Sequence, residues 1–113
     1  MATTDPCREP CREDIVTTME GEHNYAKERE LAPCAPPQPA DKAEADGKAR
    51  DSLKEYGTTW CAKGSCPHPK DCKPHLSEIR NVGYKIEKRP ADKGHINCFV
   101  IATVSGKVSC RCE

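Results

Sequence analysis

Nine cysteines, at positions 7, 11, 34, 61, 66, 72, 98, 110 and 112, are strung along almost the whole of a 113-residue chain. A short chain at that density relies on disulfides or metal to hold its parts together. Its apolar supply is thin as well, because 4% of the residues are aromatic and 32% charged, and burial alone would leave a small core. One domain over residues 1–113 is what this length holds. Disulfides use the cysteines more completely than metal does. Eight of the nine can form four bridges between the segments least able to fix themselves, and sequence alone leaves on the order of a hundred connectivities open. A Cys110–Cys112 bridge is the one disfavoured, since same-face neighbours on a strand lie about 7 Å apart.

Ile96 to Cys112 is the only long apolar, β-branched stretch, and Ser105-Gly106 interrupts it with the chemistry of a two-residue hairpin turn. Strands over 96–104 and 107–112 then set Ile101 opposite Cys110 and Phe99 opposite Cys112. Phe99, Ile101, Val108, Cys110 and Cys112 would share one face. Tyr84 to Lys88 alternates as a third strand, and Arg89 to Gly94 is turn chemistry leading into the hairpin. Ala40 to Tyr56 is rich in alanine, lysine and glutamate and reads as a helix over about 41–56, with Gly57 as its stop. Ala45, Ala49, Leu53 and Tyr56 form its narrow apolar stripe. Asp5 and Pro6 open a second helix over about 6–19, with Cys7 and Cys11 on one face beside Ile15 and Met19. Gly21 to Tyr25 breaks it, Ala26 to Leu31 and Leu76 to Val82 read as short helical turns, and Ala35-Pro-Pro-Gln-Pro39 is a proline-rich internal linker. The expected fold is α+β: a three-stranded antiparallel meander (84–88, 96–104, 107–112) packed by one helix, with the N-terminal helix cross-linked to it.

Function is less constrained. Eighteen basic residues balance eighteen acidic ones, so no bulk field draws the chain to nucleic acid or anionic lipid. No apolar run is long enough to span a membrane, and Met1 to Pro6 lacks the pattern of a signal peptide. Phosphate loops, nucleophile elbows, Cys-x2-Cys redox pairs and His-Glu-x2-His helices are missing from the sequence. Trp60 to His75 gathers three cysteines, two histidines and three prolines in a segment that needs anchoring. Cys61, Cys66, Cys72 and His75 are an alternative zinc set, although the Cys61-x4-Cys66 spacing lacks a tight knuckle. No other cofactor is expected. His23 beside Glu22, and His95 near Asn97, are the weak catalytic candidates.

In composition alone the chain is similar to small cysteine-rich modules that work outside the cytoplasm as binders, inhibitors or toxin-like effectors. The first expectation is therefore a disulfide-stabilised module, secreted or otherwise extracytoplasmic, that binds a protein or other macromolecule. Trp60, Lys63, His68, Lys70, Arg89 and Lys93 would sit on its presented surfaces. An intracellular zinc-binding interaction module and a small secreted hydrolase using a histidine are the alternatives.

Overall fold

The computed structural model of the chain describes residues 12–62 and 72–112. Strand β1 (Arg12–Arg29), helix α1 (Pro39–Ala62), strand β2 (Cys72–Pro90) and strand β3 (His95–Cys112) follow in chain order. The strands form one antiparallel sheet in the order β1-β3-β2, which makes the last strand central and the other two edges. Each edge is antiparallel to β3, so β1 and β2 run parallel to each other. Helix α1 supplies the crossover that a parallel pair needs. Three antiparallel strands and one packed helix make the chain α+β, as its pattern implies, but the strands draw on different residues.

Arg12 to Met19 belongs to β1 and not to a helix; positions 6–11 of that expected helix lie outside the described residues. Ile15 and Met19 are four apart, a spacing that suits one helix face and one strand face equally. Burial decides between them, since Ile15, Thr17, Met19 and Gly21 alternate with exposed Asp14, Val16, Thr18 and Glu20. Neither the break at Gly21 nor the helical turn at Ala26 to Leu31 forms, and β1 continues to Arg29.

Ser105-Gly106 is likewise no turn, because β3 passes straight through it. Gly106 stands where Leu53 packs, and a Cβ there would come within 2.5 Å of Leu53 Cδ2. Removing the turn reverses the expected faces. Ile96, Cys98, Val100, Ala102, Val104, Gly106, Val108 and Cys110 form one unbroken buried row. Phe99 and Ile101 lie on the other face, away from Val108 and Cys110.

Helix α1 is longer than its expected bounds at both ends. Gln38 is its N-cap: the Gln38 carbonyl accepts from Asp41 and Lys42 N–H (3.0 and 3.1 Å), and Gln38 N–H donates back to Asp41 Oδ2 at 2.9 Å. This reciprocal arrangement with Pro39 in the first helical position is a strong helix start. Gly57 does not end the helix. Ala45, Ala49, Leu53, Gly57 and Cys61 are all buried and all four residues apart, one narrow row of mostly small groups.

Leu76 to Val82 is strand and not helical turn, and β2 extends well before Tyr84. Pro74 and Leu76 approach Gly57, Ile79 approaches Gly106, Asn81 bonds Asp46, and Tyr84 lies under Lys42. The inward set thus changes from even to odd and back to even. Glu78 at φ 53° and Gly83 at φ 156° mark the two places where the phase slips by one residue, as at β-bulges.

Contacts divide the described residues into two compact units. One holds 19–52 and 81–104, where Gly21 lets β1 touch α1: a Cβ there would fall 2.2 Å from both Ala45 O and Ala49 N. A disulfide joins Cys34 to Cys98 in this unit, with Cα atoms 5.9 Å apart. The other holds 12–18, 53–62, 72–80 and 105–112. Within it Leu53, Cys61, Val108 and Cys110 are buried, Tyr56 stacks on Trp60 at 6.2 Å, and a disulfide joins Cys61 to Cys110.

Gly21→Ala, which drives a methyl into helix backbone, is expected to cost about 3 kcal/mol in urea unfolding, and Leu53→Ala a similar amount through cavity formation. Replacing Cys34 and Cys98 together by alanine reopens a loop of 64 residues, which the chain-entropy argument puts at about 4 kcal/mol. A midpoint unmoved by the paired replacement would show that the bridge carries no stability.

Candidate functional site

Within the unit of residues 19–52 and 81–104, the loop from Glu30 to Gln38 and the turn from Ala91 to Gly94 are tied together. Ala32 N–H donates to Arg29 O at 2.9 Å, closing a turn, and Glu30 N–H donates to Gly94 O at 3.0 Å. Gly94 has φ 79°, the left-handed geometry required where His95 N–H reaches back to Asp92 O at 2.8 Å. Side chains complete the tether. Lys88 Nζ donates to Ala32 O at 3.2 Å, Tyr25 OH donates to Ala35 O at 2.5 Å, and Lys27 pairs with Asp92. The Cys34–Cys98 disulfide fixes the middle of the loop to the central strand.

This anchoring carries an exposed apolar tip. Leu31 is 96% exposed, the highest value among the exposed large apolar side chains, and Pro33, Ala35 and Pro36 beside it are exposed too. A leucine left in water loses the roughly 1.5–3 kcal/mol that burial would return. Its backbone is nevertheless held on both sides.

On the outer face of β3 in the same unit, long charged side chains cover the apolar ones. Glu20 and Glu22 come from one edge strand, Lys85 and Arg89 from the other, and β3 lies between. The Lys85–Glu20 pair (3.5 Å) and the Arg89–Glu22 fork (2.7 and 2.6 Å) therefore span the face of the central strand. Arg89 sits 4.3 Å over the Phe99 ring and also bonds Glu87, while Ile101 is 1% exposed although it lies on this outer side. The long side chains shield that face from water.

Several site residues expected from the sequence fall differently. Arg89 is committed to this cover, whereas Lys93 is exposed in the Ala91–Gly94 turn. Trp60 is half-buried against Tyr56; Lys63, His68 and Lys70 lie outside the described residues. Glu22 and His23 point to opposite sides of β1, so they are not a catalytic pair: Glu22 meets Arg89, and His23 Nε2 lies 3.5 Å from Asp41 Oδ1. The polar neighbour of His95 is Lys93 O at 3.2 Å.

Cys61 is bonded to Cys110, which removes its sulfur from the alternative zinc set. Cys66 and the Cys72 side chain lie outside the described residues, and His75 is exposed. Among the described residues no group of three or more His, Cys, Asp or Glu side chains is placed to hold a metal ion. A shallow cleft of about 500 Å³ lies between α1 and β2, with Lys42, Asp46, Arg50, Asn81 and Tyr84 on its walls. Asp46 accepts from Arg50 at 2.6 Å and Asn81 at 2.9 Å. Burial alone would raise the Asp46 pKa, but these hydrogen bonds and the Arg50 charge leave it lowered. The Asp46 carboxylate is thus bonded from both walls of the cleft.

The sequence does not mark Leu31 or the tethers of its loop. In sequence Leu31 is one apolar residue among charged ones, and nothing local shows whether it turns in or out. The available signal was Cys34 within the prolines, because a cross-link in a linker makes it a presented loop.

Arg89's hydrogen bond holds the Glu22 carboxyl below its ordinary value, with further help from the charges of Arg89 and Lys85. The Lys27 hydrogen bond lowers Asp92 in the same way. A depressed folded-state pKa contributes stability that is present above the ordinary carboxylate range and is lost as pH falls through the lowered value. Carboxyl NMR titration is expected to show Glu22 titrating low in the native chain and returning to its ordinary range in Arg89→Met, with the variant losing less stability on acidification. No protein-family model matches the chain, and neither does any curated protein or solved structure.

Proposed function

We propose that this chain is a binding module that works in an oxidising, extracytoplasmic setting and engages a folded protein through the loop 30–38. The fully exposed Leu31 on a backbone held by its neighbours is the observation that carries this reading. Disulfides persist where thiols are oxidised, and two are present among the described residues. No described helix is long and apolar enough to cross a membrane.

Binding favours groups already fixed in their bound geometry, because less conformational entropy is lost on contact. Leu31 is such a group. It sits in a hydrogen-bonded turn, so it enters a partner as a knob and not as the extended strand that a protease cleft takes. Exposed Lys93, from the turn whose Gly94 carbonyl accepts from Glu30, supplies a charge at the rim. The partner that suits this surface has an apolar pocket with acidic groups beside it.

A surface-plasmon-resonance screen against folded extracellular domains tests the reading. At least one binder is expected, and Leu31→Ala should weaken that complex by about 30-fold, equivalent to about 2 kcal/mol of lost apolar burial. Val16→Ala, at another exposed apolar side chain, should leave the same complex unchanged. A complex indifferent to Leu31→Ala, or a screen with no binder, would overturn it.

A further inference from the structure

Strand β2 is an edge, and among the described residues its outer N–H and C=O groups have no strand beside them. Edges of this length are normally blunted by charge, because unpaired backbone recruits another strand. Exposed Glu20 and Glu22 put charge on the opposite edge, β1, and exposed Lys85 and Lys88 put some on β2. Between those charges on β2, Tyr84 is 43% exposed and Ile86 48%. The stretch Tyr84-Lys85-Ile86-Glu87-Lys88 has a further property: its charges complement its own reverse.

Backbone direction follows from the adjoining turn. Ala91 N–H donates inward to His95 O at 3.1 Å, and in an antiparallel ladder alternate residues point the same way. Arg89, Glu87 and Lys85 thus bond to β3, leaving Tyr84, Ile86 and Lys88 with backbone groups directed outward. Pro90 falls on the outward set, where a missing N–H costs no bond to β3.

The geometry points to a second copy of this chain as the occupant of that edge, paired antiparallel about a two-fold axis at Ile86. In that register Ile86 faces its own mate. Lys85 faces Glu87 of the other copy, twice by symmetry, and Tyr84 faces Lys88. Sliding the axis to Lys88 would instead put two lysines in direct opposition. Lys85 and Glu87 already make bonds within the chain, yet their side chains remain 59% and 45% exposed, which leaves room for a second partner. A formal net charge of zero adds no long-range repulsion between copies. Five residues from each strand make a small contact, so the dimer is a weak one.

Sedimentation equilibrium over about 10 µM to 1 mM tests this, that being the range in which an interface of this size associates. The expected mass rises with concentration toward twice 12.5 kDa. Amide hydrogen exchange at Tyr84, Ile86 and Lys88 should slow over the same range. Ile86→Lys sets like charges across the axis and should weaken association at least tenfold. Glu87→Lys, which opposes Lys85 with lysine, should do the same and serves if the first variant folds poorly. A monomer at every concentration, a dimer indifferent to both variants, or a dimer that survives denaturant until reductant is added would each overturn the proposal.

Discussion

Burial on β3 recurs at every second residue from Ile96 to Cys110 without a miss, and the remaining elements arrange themselves to cover that row. The helix available for the task is poorly equipped, since its buried positions are Ala45, Ala49, Leu53, Gly57 and Cys61 and most of the rest is charged or polar. Small side chains compensate by proximity. Where β1 meets α1, a glycine brings backbone nearly against backbone, and where α1 meets β2 and β3, Gly57 lets the side chains of Pro74, Leu76 and Val108 close directly on the helix. A core assembled from alanine, glycine, valine and cystine buries modest area per residue, which is why covalent bonds occur where they do.

The class of fold was legible because it rests on the long apolar run of β3 and on the alanine-rich helix, two signals that local chemistry carries well. Individual strands were less legible. Ile15 and Met19 fit either periodicity, and the alternation that decides between them involves Thr17 and Gly21, which are weakly apolar or have no side chain. Ser105-Gly106 has the composition of a turn, but the glycine serves close packing by Leu53. Leu76 to Val82 resembled a helical turn because slips at Glu78 and Gly83 break its period-two pattern. In each case a tertiary contact overrode a local preference that sequence alone records. Cysteine pairing was open in principle, and Leu31 gave no sign of its exposure because one leucine in a polar run carries no directional information.

The two disulfides among the described residues are attached to the same strand from different partners. Cys98 takes the loop before the helix, and Cys110 takes the helix near its last turn. Each lies inside one of the two contact-defined units, so each unit has a covalent bond to its own part of β3. The outer face of β3 needs no such help. There, pairs drawn from the two edges lie over Phe99 and Ile101, and the aliphatic stems of lysine, arginine and glutamate do the shielding that a second layer would otherwise supply.

Among the described residues the bonded cysteines run in the order 34, 61, 98, 110, and the bridges join first to third and second to fourth. Such pairs interleave. One cut of the backbone anywhere between Cys34 and Cys110 leaves every fragment attached through sulfur, and so do two cuts placed in different intervals between these cysteines. When no interval is cut more than once, it takes a cut in each of the three before these two bridges fail to hold the pieces together. Integrity of the molecule is thereby partly uncoupled from integrity of its backbone: these two bridges hold it as one covalent body through a nick in any two of the three intervals.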